Sequence, residues 1–170
     1  MRYFDKEDPN FHYPLDLINV TDKTVLDLGC GSLGDLASIQ DYISTPEYFL
    51  KHGAKKIIGI EIANSDIEYL TSKIDSSKGL FMQPEKSVAD LIQEYGIEVI
   101  KCDNEGGETE LFSLPTEKFR LIEEYYIETH NDGLNQWAKA KFAECGYEIL
   151  EELEFAPLPG LIRVLFARRQ

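Results

Sequence analysis

The chain has 170 residues, of which 43% are apolar and 28% charged, and this composition is typical of an ordinary globular domain. Lysine and arginine number 17 against 31 aspartates and glutamates, so the formal net charge is −14. This balance argues against duplex nucleic acid or an anionic membrane as the main partner, because both select a basic surface. We expect one domain over 1–170, with a short N-terminal segment at 1–23 and a core over 24–168.

The cysteines and the apolar runs indicate in which cellular compartment the protein is expected. Cys30, Cys102 and Cys145 are too scattered to predict a disulfide framework or a zinc site, so we expect reduced thiols in a cytoplasmic protein. Residues 1–10 lack the apolar segment of a secretory signal. No apolar run approaches the ~20 residues that a membrane-spanning helix needs, so we expect no membrane partner.

Short apolar runs that stop at turn residues predict buried strands. These runs cover 24–28, 56–62, 97–102 and 124–129, and Leu80-Phe81-Met82 is at most a short strand. Towards the end of the chain, 147–155 and 161–167 also have strand character, and Pro157-Leu158-Pro159-Gly160 lies between them. Two strands joined by so short a turn are antiparallel neighbours.

Helices with recognisable ends lie between the predicted strands. Thr45 is the expected N-cap of the first helix, and a capping box beginning at Ser65 is expected to start the second. Ser87 caps the third, which Gly96 ends, and an apolar stripe over 134–145 predicts a fourth. Strands alternating with helices predict an α/β fold, a mostly parallel sheet with helices on both faces that finishes in a C-terminal antiparallel hairpin.

A glycine-rich turn after the first buried strand carries the strongest local signal. Gly29, Cys30 and Gly31 follow that strand, and glycines there let the backbone turn sharply and approach a ligand. The pattern favours a nucleotide-like ligand, the alternative being a tight turn that binds nothing. Asp27 at the strand end would repel a pyrophosphate and suit a cation. S-adenosylmethionine, which carries an ammonium and a sulfonium, is a ligand that would suit such a site.

Glu61 lies near the end of the second strand, with Ile62 beside it. An acidic residue at that place can accept hydrogen bonds from both ribose hydroxyls of a nucleoside. We therefore expect Glu61 and Ile62 among the cofactor contacts. The alternative for Glu61 is a solvated charge at a strand end.

A second polar group follows the third and fourth predicted strands. Asp103 and Glu105 come directly after the third, where open α/β sheets bind ligands. His130 follows the fourth and could act as a base near neutral pH. The alternatives are a solvated acidic turn and a surface histidine.

Together these motifs resemble the class I S-adenosylmethionine-dependent methyltransferases, and more narrowly the FkbM-like group. Residues 25–31 (VLDLGCG) resemble the general cofactor motif of the class, and residues 100–108 (IKCDNEGGE) resemble the K-x-D-x-E-G-x-E signature of the group. Residues 87–92 resemble the helix before that signature. Residues 127–130 (IETH) and 146–147 (GY) resemble its I-E-x-H strand and G-[YF] turn.

The resemblance implies a Rossmann-like methyltransferase fold whose seven-stranded sheet ends in an antiparallel strand. It implies S-adenosyl-L-methionine as the cofactor, held by Asp27, Gly29, Cys30, Gly31, Glu61, Ile62 and Asp103. It places Asp103, Glu105 and His130 at the reaction site.

The expected reaction is O-methylation of a hydroxyl on a small molecule or a glycan, with a base removing the hydroxyl proton. The same acids and histidine could instead hold a divalent cation, although we prefer a reaction without metal. A non-catalytic methyltransferase-like binding module and an NAD-binding Rossmann oxidoreductase are the alternatives. The sequence does not indicate an oligomeric state.

Overall fold

A computed structural model of the chain describes residues 2–4, 17–31, 43–104, 106–155 and 162–170. The strands are β1 (Arg2–Phe4), β2 (Thr24–Leu28), β3 (Lys56–Ile60), β4 (Gly79–Met82), β5 (Val99–Cys102), β6 (Glu124–Thr129), β7 (Tyr147–Phe155) and β8 (Arg163–Arg169). The helices are α1 (Thr45–Lys51), α2 (Asn64–Lys73), α3 (Val88–Tyr95), α4 (Glu108–Phe112), α5 (Thr116–Phe119) and α6 (Asp132–Cys145). The chain forms two compact units. One is Val20–Lys101, and the other combines Cys102–Gln170 with the residues up to Asn19. The single domain remains a prediction.

The Val20–Lys101 unit contains parallel strands around a continuous apolar core. Its strand order is β5-β2-β3-β4, and the pairs β2–β3 and β3–β4 are parallel. Leu26 and Ile58 pair across β2 and β3, and neither side chain has exposed surface. Strands buried in this way are apolar almost throughout, which is why 24–28 and 56–60 were recognisable in the sequence.

β3 and β5 are shorter than the sequence predicted, and β4 is a more regular strand than predicted. β3 ends at Ile60 and not at Ile62, because the Glu61 carboxylate turns back to accept from the next backbone amides. β5 begins at Val99, since the Ile97 amide donates to Ile92 at the end of α3. Residues 79–82 form a complete strand that pairs with β3.

The helix caps confirm some predictions and correct others. Ser87 caps α3 through the Asp90 amide, and Gly96 ends it with a φ of 63°, both as predicted. The N-cap of α1 is Ser44 and not Thr45, because the Ser44 side chain forms a capping box with Glu47. The prediction that Ser65 caps α2 is wrong: the N-cap is Ala63, two residues earlier, and it has no side-chain hydrogen bond to the helix.

The Cys102–Gln170 unit carries the antiparallel end of the fold. β8 pairs antiparallel with both β6 and β7, which confirms the predicted C-terminal antiparallel strands. The predicted turn at 157–160 lies outside the described residues. β1, which the sequence did not predict, pairs in parallel with β7. Beyond β1, strands β2 to β8 are the seven that the resemblance implies, and helices on both faces remain a prediction.

Aromatic side chains fill the core of this unit. The rings of Phe119 and Tyr125 stack with 4.5 Å between centroids, and the Tyr147 hydroxyl donates to the carbonyls of Phe119 and Ile122. On α6, Trp137 packs against Phe112 of α4 at 5.7 Å between ring centroids. Among the described residues, no helix has both the length and the apolar character needed to cross a bilayer.

Candidate functional site

The glycine turn at the end of β2 is tied to the neighbouring strand by its backbone. Gly29 has a φ of 77°, a left-handed conformation that favours glycine. The amides of Gly29 and Cys30 both donate to the carbonyl of Ile60, at 2.9 and 3.3 Å. The turn is therefore fixed to the end of β3.

A buried ion pair lies beneath this turn. The Lys101 ammonium is 3.1 Å from the Asp27 carboxylate and donates to the Gly29 carbonyl at 2.7 Å. The side chains are 4% and 0% exposed, respectively. The sequence suggested that Asp27 faces a cationic ligand, but its cationic neighbour is a lysine of the protein. Asp27 therefore fixes the glycine turn from below and presents no surface to a ligand.

Gly31 and Glu61 approach each other closely. The Gly31 amide donates to Glu61 Oε2 at 2.8 Å, and a Cβ at Gly31 would lie 2.5 Å from that oxygen and from Asp66 Oδ2. Glu61 Oε1 accepts from the amides of Ile62 and Ala63 at 2.7 and 3.1 Å. The carboxylate is thus held by three backbone amides, which leaves about one of its four lone-pair sites to accept a hydroxyl hydrogen.

The two other predicted cofactor contacts differ in exposure. Cys30 is 2% exposed, and burial together with the Asp27 charge raises the pKa of its thiol far above the usual range. Its contribution to a ligand would come from the backbone. Ile62 is 77% exposed, so its side chain is accessible to a ligand. All three cysteines are free thiols and buried.

A second polar cluster lies in the Cys102–Gln170 unit, and we call it the His130 cluster: Asp103, Glu108, Glu128 and His130. His130 Nδ1 is 2.5 Å from Glu108 Oε1, so the ring donates to that carboxylate. His130 Nε2 is 3.6 Å from one carboxylate oxygen of Asp103 and 3.6 Å from one of Glu128. The structure therefore brings Asp103 and His130 together, as the sequence predicted, and adds two glutamates.

The loop after β5 brings Glu108 into position. Gly106 has a φ of 121°, and its amide donates to Glu108 Oε2 at 2.7 Å. A Cβ at Gly107 would collide with the side chain of Asn104. The positive φ of Gly106 and the close approach of Asn104 to Gly107 favour glycine at both positions, and Glu108 follows them and contacts His130. Glu105, the third predicted reaction-site residue, lies outside the described residues.

Acids surround the His130 ring and set its basicity. The hydrogen bond to Glu108 raises the pKa of His130, and the charges of Glu108, Glu128 and Asp103 raise it further, against the opposing effect of burial. Such a ring can hold a proton near neutral pH or, in its neutral form, offer Nε2 as a base or a ligand.

Three residues of these sites were not assigned from the sequence: Lys101, Glu108 and Glu128. Two of them carried a usable signal. Glu128 precedes His130 by two positions, which is the spacing at which side chains of an extended backbone share one side. Glu108 begins a helix directly after two glycines, where an acid is favourable. Lys101 is the lysine of the K-x-D-x-E-G-x-E signature, but the signature does not identify its partner, because the ion pair joins residues that are 74 positions apart.

Comparisons with known proteins place the fold. No family model and no curated protein matches the chain. Solved structures do: an S-adenosylmethionine dependent methyltransferase of Mesorhizobium loti matches with 11% identity, over 92% of this chain and 95% of that chain, at a TM-score of 0.58. The chain has the S-adenosylmethionine-dependent methyltransferase fold.

Two further structures with this methyltransferase fold contain the cofactor. A candidate tRNA (m1A22) methyltransferase of Streptococcus pneumoniae, in complex with S-adenosyl-L-methionine, is 17% identical over 92% of this chain and 72% of that chain, at a TM-score of 0.62. Fibrillarin of Aeropyrum pernix, with natively bound S-adenosyl-L-methionine, is 16% identical over 88% of this chain and 68% of that chain, at a TM-score of 0.56. At these identities the likeness concerns the methyltransferase fold alone.

Proposed function

We propose that the chain is an S-adenosyl-L-methionine-dependent methyltransferase of the FkbM-like group. The observation that carries this proposal is the pairing of Gly31 with the Glu61 carboxylate at 2.8 Å, next to the glycine turn of a methyltransferase fold. A carboxylate held there by three amides keeps an acceptor site for a ribose hydroxyl of a nucleoside.

The remaining cofactor contacts follow from the same unit. The backbone of Gly29, Cys30 and Gly31 would lie along the methionine part of the cofactor, and Ile62 would offer an apolar surface to the adenine. Asp27 would act indirectly, by fixing the turn through Lys101. Asp103 lies in the Cys102–Gln170 unit, and its role as a cofactor contact stays a prediction from the sequence.

The proposed reaction is an in-line displacement. An acceptor oxygen attacks the sulfonium methyl group, its O–H bond breaks, an O–CH₃ bond forms, and the S–CH₃ bond breaks to leave a neutral thioether. The proton passes to a base, for which Asp103, Glu105 and His130 are the candidates, and such catalysis contributes about 10²–10⁴-fold. Alignment of the oxygen with the methyl group would be the larger contribution.

We propose a hydroxyl on a small molecule or a glycan as the acceptor, and a cytoplasmic enzyme. The net charge of −14 supports an acceptor other than nucleic acid, because phosphate backbones are bound by basic surfaces. Two of the solved structures with this fold are a candidate tRNA (m1A22) methyltransferase of Streptococcus pneumoniae and a candidate RNA methyltransferase of Pyrococcus horikoshii. RNA is therefore an acceptor class that the assays must include.

Calorimetric titration with S-adenosylhomocysteine tests the cofactor site. We expect micromolar binding by the wild-type chain and at least tenfold weaker binding by Glu61→Ala. Glu68→Ala, an exposed acid on α2, is the matched control and should bind like the wild type. Circular dichroism confirms that each variant is folded.

Three results would replace the proposal with another function. Absence of binding by the folded wild-type chain would favour a non-catalytic module. Binding of NADH in place of S-adenosylhomocysteine would favour the oxidoreductase. Cofactor binding without methyl transfer to any hydroxylated acceptor, but with transfer to RNA, would retain the cofactor and change the acceptor.

A further inference from the structure

We propose that Asp103, Glu128 and His130 bind a divalent cation, with Glu108 orienting the histidine. The role of this cation in methyl transfer rests on the function proposed above, but its binding does not. The sequence alone favoured a reaction without metal. Glu108 and Glu128, which were not assigned from the sequence, are the reason for the change.

The hydrogen bond to Glu108 selects which nitrogen of His130 is available. A carboxylate oxygen accepts, so the ring proton lies on Nδ1, 2.5 Å from Glu108 Oε1. In the neutral ring Nε2 then carries a lone pair. Metal-bound histidines commonly donate their second nitrogen to a carboxylate in this way, which fixes the ring orientation and increases its basicity as a ligand. Glu108 has no exposed surface and is held by the Gly106 amide, so it is a fixed partner.

The distances at Nε2 suit a shared cation better than a hydrogen bond. Nε2 lies 3.6 Å from both Asp103 Oδ1 and Glu128 Oε1, which exceeds a normal hydrogen-bond length. Two ligands at about 2.1 Å from one tetrahedral cation are about 3.4 Å apart. All three ligand atoms lie within 4.8 Å of one another. A small cation between them would need only a slight contraction of the group.

Charge and burial favour an ion of charge +2. The three carboxylates of the His130 cluster carry −3 when ionised, and a protonated imidazole would supply only +1. Glu128 and Glu108 are 1% and 0% exposed at their side chains, where charge is poorly screened by water. His130 and Asp103 are 21% and 19% exposed, so an ion could enter from solvent and keep open coordination positions.

The ligand set indicates the kind of cation and what it would do. Imidazole with two carboxylates suits Mn²⁺, Fe²⁺ or Zn²⁺ better than Ca²⁺, which prefers oxygen ligands alone. A hydroxyl bound at an open position would have a lowered pKa and lose its proton more easily. His130 would then be a ligand, and the proton would pass to a carboxylate.

Manganese binding to the metal-stripped chain tests the proposal. We expect one equivalent of Mn²⁺ to bind, measured by loss of the free-ion electron paramagnetic resonance signal and by calorimetry. Asp103→Asn and His130→Gln should each weaken binding at least tenfold. Glu108→Gln should weaken it about 10-fold or more while leaving the stoichiometry at one, because it affects the ligand only through its orientation. Glu117→Gln, an exposed acid on α5, should bind like the wild type.

The proposal is overturned if the folded wild-type chain binds no Mn²⁺ or Zn²⁺ at millimolar concentration, or if Asp103→Asn and His130→Gln bind as tightly as the wild type. Should His130→Gln fail to fold, Asp103→Asn decides the matter, since its side chain is partly exposed. Parallel titration with S-adenosylhomocysteine separates the two proposals. Cofactor binding without manganese binding refutes only the cation site, and manganese binding without cofactor binding refutes only the methyltransferase.

Discussion

Lys101 reaches Asp27 and Gly29 at the same time, with its ammonium 3.1 Å from the carboxylate and 2.7 Å from the carbonyl. Both side chains are almost entirely buried, so removing the cation leaves a carboxylate without its neutralising partner. We expect Lys101→Met to lower the free energy of unfolding by about 3–5 kcal/mol, measured by urea unfolding at neutral pH.

A double substitution separates the ion pair from side-chain packing. Asp27→Asn with Lys101→Met should cost clearly less than the sum of the two single changes, because neither charge is then left alone. Lys55→Met, at an exposed position of the same unit, should change stability by no more than about 0.5 kcal/mol. Strict additivity would show that the pair does not act as a unit.

Gly31→Ala should weaken cofactor binding with little effect on stability. The new Cβ would lie 2.5 Å from Glu61 Oε2 and from Asp66 Oδ2, so both side chains would have to shift at their ends. The Glu61 carboxylate would then lose its bond to the Gly31 amide, so we expect about tenfold weaker S-adenosylhomocysteine binding in calorimetry, equivalent to about 1.4 kcal/mol.

Gly53→Ala is the control, because it should lower stability without changing cofactor affinity. Gly53 has a φ of 91° with no crowding, so alanine there should cost about 1 kcal/mol or more of stability and leave cofactor affinity unchanged. If both variants lose affinity in proportion to stability, Gly31 has no specific role.

Ser44→Ala should destabilise the chain more than Thr45→Ala. Ser44 is the N-cap of α1, with its hydroxyl and amide both bonded to Glu47, whereas Thr45 is already inside the helix. Loss of the cap should cost about 1 kcal/mol by thermal or urea unfolding. Equal effects at the two positions would place the start of the helix one residue later.

Alkaline solution should destabilise the chain through its buried tyrosines. Burial raises the pKa of Tyr147 above the usual range, and the same cause raises that of Tyr125. The folded state therefore keeps protons that the unfolded state releases as the pH rises past about 10. Stability is fully present below that pH and falls above it, by about 1.4 kcal/mol per pH unit for each retained proton.

Tyr147→Phe tests this explanation through the slope of the free energy of unfolding against pH. The variant loses the hydrogen that the Tyr147 hydroxyl shares between the carbonyls of Phe119 and Ile122, so it should be less stable at pH 7. The further loss of stability above pH 10 should be shallower than in the wild type. Unfolding by urea between pH 7 and 11 gives both quantities. An unchanged slope would assign the alkaline loss to other groups.

The parallel core was predictable because its pattern is local. Leu26 and Ile58 belong to short apolar runs, and Gly96 marks a helix end through backbone freedom alone. The cap of α1 was misplaced by one residue, since Ser44 and Thr45 are chemically alike and only the bond to Glu47 distinguishes them. Helix and strand ends depend on such single hydrogen bonds, so they are harder to predict than the elements.

The site was predictable in part for the same reason. Gly29, Gly31 and Glu61 follow strand ends, which the sequence pattern locates. The ion pair of Asp27 with Lys101 was not predictable, because the two residues are remote in sequence and a strand-end acid can face either a ligand or the interior. Glu108 reaches His130 only through the left-handed backbone of Gly106, a conformation that the signature permits but does not specify.

Trp137 gives the chain a built-in optical reporter. It is the single tryptophan, 41% exposed, and it packs on Phe112, the last residue of the one-turn helix that begins with Glu108. A shift of Glu108 would change the surroundings of the indole, whose emission depends on contact with water. Intrinsic tryptophan fluorescence could therefore report whether the His130 cluster holds a cation. The measurement needs neither a label nor an assay of turnover, and each cation can be tested in turn.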